Sequence, residues 1–219
     1  AITIDDDIAF HLQNDITVEA CVKVNTFPSN GLRQIVFHGD RRSGYDPYYL
    51  AIFSNGNIDV AIFQIGNSQG AGGVSVYVPV QAGQLMHLAG VLNDTDDTLK
   101  IFVNGVPVID PNNNKTLNGV RPGLAGSFSP GVVIGALVGD IDRSQDFDGT
   151  IDEVRISDSA LSPEEFISCT ESPDILTKTI TYGPSDAGDI NRVVEIRQTA
   201  PTAYEFNITY DNPVDTPVL

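Results

Sequence analysis

The chain has 219 residues, 41% of them hydrophobic and 19% charged, with a net charge of −17 from 29 acids against 12 bases. That length can bury a full core, enough for one large β domain or one domain plus an appendage. An acidic surface repels nucleic acid and anionic membranes, and no apolar run approaches the roughly 18 residues of a membrane span, so neither nucleic-acid binding nor membrane insertion is expected.

The acids are mostly Asp, and Lys occurs only at Lys23, Lys100, Lys115 and Lys178, a bias away from hyperthermophile composition. It suits high-salt or marine settings, or calcium binding. The chain opens at Ala1 without Met, as expected of a processed form or an excised fragment.

In chain order, DITVEACVKV (residues 15–24) alternates, with Ile16, Val18, Ala20 and Val22 on one face and Thr17, Glu19 and Lys23 on the other. GDRRSGYDPYYL (39–50) sets Arg41 and Arg42 beside Tyr45, Tyr48 and Tyr49. Tyr rings stack on sugar faces and Arg pairs with carboxylates, so Arg41, Arg42, Tyr45 and Tyr48 are candidate ligand-binding residues. The other reading makes Tyr49, and with it Tyr48, core residues of the next strand. YYLAIFSNGNIDVAIFQI holds two strands around Asn55-Gly56, the dipeptide of a two-residue hairpin. GNSQGAGG (66–73) reads as a flexible connection. Its G-x-S-x-G match lacks the strand-turn-helix setting of a hydrolase elbow, and the only later His is His87, inside a strand.

QLMHLAGVLND adds a strand, TLKIFVNGVPVID repeats the hairpin device at Asn104-Gly105, and PNNNKTLNG (111–119) is a polar connection. GVVIGAL and GTIDEVRIS are further strands. SPEEFISC is the one helical signal: Ser162 caps, Pro163 takes the first helical position and Glu165 completes a capping box, giving a turn or two that ends near Cys169. Turn signals at short spacing point to an antiparallel β-sandwich.

Cys21 and Cys169 fit one disulfide or two buried thiols. Sequons stand at Asn93, Asn114 and Asn207. His11, His38 and His87 show no zinc spacing. The acidic run GDIDRSQDFDGTIDEVRIS (139–157) fits no EF-hand loop. Asp152 shares strand parity with Val154 and Ile156, so if that face is the core Asp152 points inward. A carboxylate there needs a cation or several donors, with Ca²⁺ or a structural ion pair as the two solutions. Asp148 and Asp146 are weaker accompanying metal ligands, while Asp140, Asp142 and Asp5, Asp6 and Asp7 read as solvated loop acids.

ITVEACVKV, HLAGVLNDTDDTLKIFVNGVPV and IGALVGDIDRSQDFDGTIDEVRISDSALSPEEF resemble successive motifs of the laminin-G-like, concanavalin A-like jelly-roll family, over about residues 2–166. The resemblance implies an all-β jelly roll with one short helix, and calcium at the position of Asp152. It departs from the family in having Cys21 where Trp is usual, Met86 near a usual aromatic or His, and no Trp anywhere. The family's opening strand, which lies beside the one carrying DEVRI, is also missing, while some fifty residues follow the family region. In them AYEFNITYD alternates Tyr204, Phe206, Ile208 and Tyr210 against polar residues.

The expected organisation is therefore a jelly-roll sandwich over 1–169 and a C-terminal β extension over 170–219. The extension would supply a strand to the open edge of its own sandwich or a neighbour's. The paired Glu residues of the related laminarinase-like hydrolases have no counterpart, so a non-catalytic protein is expected. The functional expectation is an extracellular or cell-surface structural or adhesive protein that associates with other copies of itself, or with cell-surface protein or glycan. The alternative is a calcium-supported, lectin-like carbohydrate-binding module.

Overall fold

The computed structural model describes residues 1–39, 46–66, 73–107, 114–123, 131–137 and 143–169, with strand segments at 180–181, 191–200 and 203–211. Two compact units divide the chain, Ala1–Cys169 and Thr170–Leu219. In the first, two antiparallel sheets enclose one core, as alternating patterns with frequent turns require. One sheet runs β1 (Ile2–Ile4), β11 (Val132–Ile134), β3 (Gly31–His38), β4 (Tyr48–Ser54), β5 (Asp59–Gly66), β6 (Gly73–Pro79). The other runs β10 (Asn114–Thr116), β8 (Thr98–Val103), β7 (Leu85–Asn93), β2 (Ile16–Val24), β12 (Gly149–Ser157), with β9 (Val106–Pro107) hairpinned onto β8.

From β2, Ile16, Val18, Ala20 and Val22 enter the core, joining Tyr48, Leu50 and Ile52 of β4, Phe63 and Ile65 of β5, and Leu88 and Leu92 of β7. Gly90 of β7 lies where the Phe63 ring presses against the opposite sheet: a Cβ there would stand 2.1 Å from Phe63 Cγ.

The two Asn-Gly turns differ. Asn104 and Gly105 both have positive φ, 52° and 72°, and join β8 to β9 as the expected two-residue turn. At Asn55-Gly56 the connection has four residues, because Ser54 pairs with Asp59. There Asn55 Oδ1 accepts from the N–H groups of Asn57 and Ile58, so the side chain builds the turn and lengthens it.

The opposite face of β2 is not solvated either. Residues 158–169 run across the second sheet as a strap. Thr17 Oγ1 donates to the Ser159 carbonyl at 2.7 Å and accepts from the Leu161 N–H at 3.0 Å. Phe166 packs on Ala89, Val91 and Phe102, and Cys21 and Cys169 are joined in a disulfide. The helical signal at Ser162 condenses to one 3-10 turn, Pro163–Glu165, with the Glu165 carboxylate accepting from the Ser162 N–H and hydroxyl at 2.9 Å each. A second 3-10 turn, Ile8–Phe10, is capped by Asp7.

On β12 the expected parity fails. The register shifts between Asp152 and Arg155, and Glu153 adopts a positive φ of 48°, a β-bulge. Ile151, Val154 and Ile156 all pack against the core, and the extra residue turns Asp152 outward, where it is exposed. The inward placement of Asp152 is thereby corrected. β12 closes the second sheet, and its outer edge has no strand partner among the described residues.

In the second unit, β13 (Ile180–Thr181), β14 (Asn191–Ala200) and β15 (Ala203–Asp211) form an antiparallel sheet. The strand expected to be donated, β15, pairs along its length with β14 of its own chain, placing Tyr204, Phe206, Ile208 and Tyr210 opposite Gln198, Ile196, Val194 and Arg192.

Candidate functional site

The described ends of four connections meet beyond one end of the first sheet. Gly66 N–H donates to the Pro47 carbonyl at 3.1 Å, and Gly123 N–H donates to the Gly66 carbonyl at 3.3 Å. Gly39 lets the two ends of the 39–47 loop close tightly, since a Cβ there would stand 2.9 Å from Asp46 Cα. Between these segments lies a recess floored by Phe10, His11, Leu12 and Gln13 of the N-terminal segment, His38 and Pro47 at the ends of β3 and its loop, and Pro122 and Gly123. Its volume is about 10 Å³, the room of about one water, so it is the floor of a surface site and encloses nothing larger.

Asp6 and His11 make the polar rim, with His11 Nε2 2.9 and 3.1 Å from the two carboxylate oxygens. The His11 ring stacks at 6.3 Å on His38, whose ring lies 4.7 Å from that of Tyr48. Tyr48 is fully buried and its hydroxyl donates to the Phe10 carbonyl at 3.1 Å. Burial, and then the charge of Asp6, push its phenol well above the usual Tyr range. Tyr48 therefore supports the recess from the core and offers no ring to a ligand, which corrects its reading as a contact residue. Tyr49, on the other face, donates to Gln64 Oε1 at 2.8 Å. Arg41, Arg42 and Tyr45 lie outside the described residues; of the described residues that flank them, His38 and Pro47 line this recess.

The described aspartates of the run are engaged by separate protein partners. Asp148 accepts from Thr26 and Asn25 and pairs with Arg33 at 3.3 Å, and these partners hold its carboxyl below the usual range. Asp146 pairs with Arg143. Asp152 caps the bulge by accepting from the Glu153 N–H at 2.9 Å. Among the described residues no three His, Cys, Asp or Glu side chains converge in a metal-binding arrangement. Asp146, Asp148 and Asp152 each have a different partner among the described residues. Asp140 and Asp142 lie outside the described residues.

The most heavily engaged carboxylate is one that strand parity alone assigned to an outer face. Glu19 is fully buried beneath the strap. It accepts from His87 Nε2 at 2.8 Å and the Ile167 N–H at 3.0 Å, and pairs with Arg155. Burial raises its pKa, but the His87, Ile167 and Arg155 hydrogen bonds outweigh that and leave it lowered. The available signal was the opposite-charge pair Glu19 and Arg155, which become neighbours once β2 and β12 are paired in register.

The sequence model of the concanavalin A-like lectin/glucanases superfamily, laminin-G type, matches residues 1–166. The chain belongs to that superfamily. A search of curated proteins by sequence gave no match. Among solved structures, the NanB sialidase of Streptococcus pneumoniae is 18% identical with a TM-score of 0.54, over 91% of this chain but only 33% of the sialidase. Domain 4 of the extracellular arabinanase AbnA from Geobacillus stearothermophilus, solved with arabinotriose, is 20% identical with a TM-score of 0.50, over 74% of this chain and 68% of that one. The CBM40 of the Ruminococcus gnavus IT-sialidase is 16% identical with a TM-score of 0.50, over 75% and 92%. At these identities the likeness is one of fold.

Proposed function

We propose that this member of the concanavalin A-like lectin/glucanases superfamily is a carbohydrate-binding module of a secreted or cell-surface protein, meeting glycan over the loop-end recess. The observation that carries the reading is the convergence of the described ends of four connections on a floor of Phe10, His11, His38 and Pro47, with His38 and Pro47 flanking the segment that carries Arg41, Arg42 and Tyr45 in the sequence. Fixed side chains flooring a shallow surface recess are what a shallow sugar site needs. Similarly folded modules in a sialidase and an arabinanase support the choice of ligand class. The reading is of a binding module, and among the described residues the one buried carboxylate, Glu19, is committed to Arg155, His87 and a backbone amide.

Self-association by strand addition is the second reading, and the unpartnered outer edge of β12 favours it. The bulge at Glu153 and the exposed Asp152 and Glu153 oppose it, since bulges and charges are how edge strands resist added strands.

A glycan array probed with the full chain, with and without chelator, tests the first reading. Saturable binding that weakens in His11→Ala is expected, and silence across neutral and sialylated glycans would overturn it. A concentration-independent monomer in sedimentation would remove the second.

A further inference from the structure

The strap leaves a cleft of about 380 Å³ on the outer face of the second sheet, between Pro163, Phe166 and Ser168 on one side and the Asn104-Gly105 turn on the other, with His87 beneath. That volume lies within the range of small-molecule sites, about 300–1,000 Å³. The cleft is far larger than the loop-end recess and shares no residue with it.

Its polar groups are fixed. His87 is 4% exposed, and its Nε2 proton is assigned by Glu19, which is ionised and can only accept. The other ring nitrogen, Nδ1, has no partner among the described residues. Asn104 is locked by two bonds to the His87 backbone, its Oδ1 accepting from the N–H and its own N–H donating to the carbonyl, each at 2.9 Å. That leaves the Asn104 Nδ2 donors and the Ser168 hydroxyl without partners among the described residues. Phe166 is anchored against Phe102 and His87, with ring centroids at 5.2 and 5.3 Å, and with Pro163 it adds apolar surface.

Among the described residues no acid, Lys or Arg lines the cleft, and the Glu19 charge behind it is met by Arg155. The lining thus combines amide donors, a hydroxyl, an imidazole nitrogen that bonds a hydroxyl in either protonation state, and two apolar ring surfaces. A neutral ring bearing hydroxyls on its edge and C–H groups on its face matches that inventory, whereas an anion would find no fixed positive charge among the described lining residues.

We propose that this cleft is a ligand site of its own, taking one pyranose ring of a neutral saccharide, with Asn104, Ser168 and His87 as hydrogen-bonding residues and Phe166 as the stacking surface. The site does not depend on the loop-end reading.

The chain's three histidines separate the two, since His11 and His38 belong to the recess and His87 to the cleft. The full chain, isotope-labelled at histidine, is titrated by NMR with methyl glycosides of glucose, galactose, mannose, xylose and N-acetylglucosamine, and with inorganic phosphate. At least one glycoside is expected to shift the His87 ring signals saturably. Affinity should fall about fivefold in Ser168→Ala, and the response should vanish in Ser168→Trp, which fills the cleft from an exposed position. Phosphate should leave His87 unmoved. Failure of every glycoside to move His87, a response to phosphate alone, or undiminished shifts in Ser168→Trp would each overturn the proposal. Shifts confined to His11 and His38 would also overturn it while supporting the loop-end site; shifts at His87 alone would support it and count against that site.

Discussion

Replacing Glu19 by Ala removes one carboxylate that ties β2 to three other parts of the sandwich. The Ile167 N–H and His87 Nε2 lose their acceptor in buried surroundings, at about 1–3 kcal/mol each. Arg155 is 38% exposed on its side chain and can rehydrate, so its share is discounted. The sum, about 4 kcal/mol, agrees with the roughly 3–5 kcal/mol for breaking one partner out of a buried pair. For a domain of this size it corresponds to a fall in Tm of about 8–16 °C. Glu19→Gln keeps the shape but turns an amide donor toward Arg155 or His87, and should cost about 2–3 kcal/mol. The pH dependence has a definite sign. The folded-state pKa of Glu19 is lowered from 4.5, so its contribution is present above that value and lost as pH falls through the folded pKa. Urea unfolding of wild type and Glu19→Gln at pH 7 and at a series of values below 4.5 is the assay: the wild-type advantage should be full at pH 7 and shrink in acid. A loss under 1 kcal/mol for Glu19→Ala, or a wild-type advantage that ignores pH, would refute the reasoning.

Other perturbations have equally definite outcomes. The Cys21–Cys169 disulfide closes a 148-residue separation, for which chain entropy gives about 5 kcal/mol, so Cys21→Ser with Cys169→Ser should lose up to that amount in denaturant melts. Gly90→Ala must displace the Phe63 ring and should cost about 1–3 kcal/mol by the same measurement. Tyr48→Phe strands the Phe10 carbonyl at the recess floor, and should lower stability by about 1 kcal/mol and weaken any glycan binding there. Asp152→Ala, at an exposed bulge, should stay within about 0.5 kcal/mol of wild type whether calcium or chelator is present.

The sheets were legible because alternation on β2 and β4 and the Asn104-Gly105 turn are local devices that tertiary contacts do not overrule. Asp152 was misplaced because parity counting assumes an unbroken strand. One left-handed residue, Glu153, resets the count, and nothing in GTIDEVRIS marks it, since Glu is not a residue that favours positive φ. Glu19 was missed for a different reason. Its burial comes from a strap 140 residues further on, and no period-two pattern reports what later covers a face. Tyr48 and Tyr49 carried two readings in the sequence, and the choice fell to the core because β4 is flanked by β3 and β5, with Tyr48 covered by the facing sheet.

The burial of Glu19 has its physical origin in the way β2 is used on both faces. Its inward residues, Ile16, Val18, Ala20 and Val22, hold the core, while its outward residues hold the strap at successive points. Thr17 bonds Ser159 and Leu161, Glu19 bonds Ile167, and Cys21 is joined to Cys169. Consecutive outward positions on a strand lie two residues apart, so the strap is gripped at regular intervals. The cleft over His87 lies between the last two grips and the Asn104 turn, and its shape depends on both. Loosening either grip should therefore alter the cleft without disturbing the recess. Cys21→Ser with Cys169→Ser should change the His87 ring signals while those of His11 and His38 stay in place, whereas equal movement of all three would mean that the strap is not a separately held element.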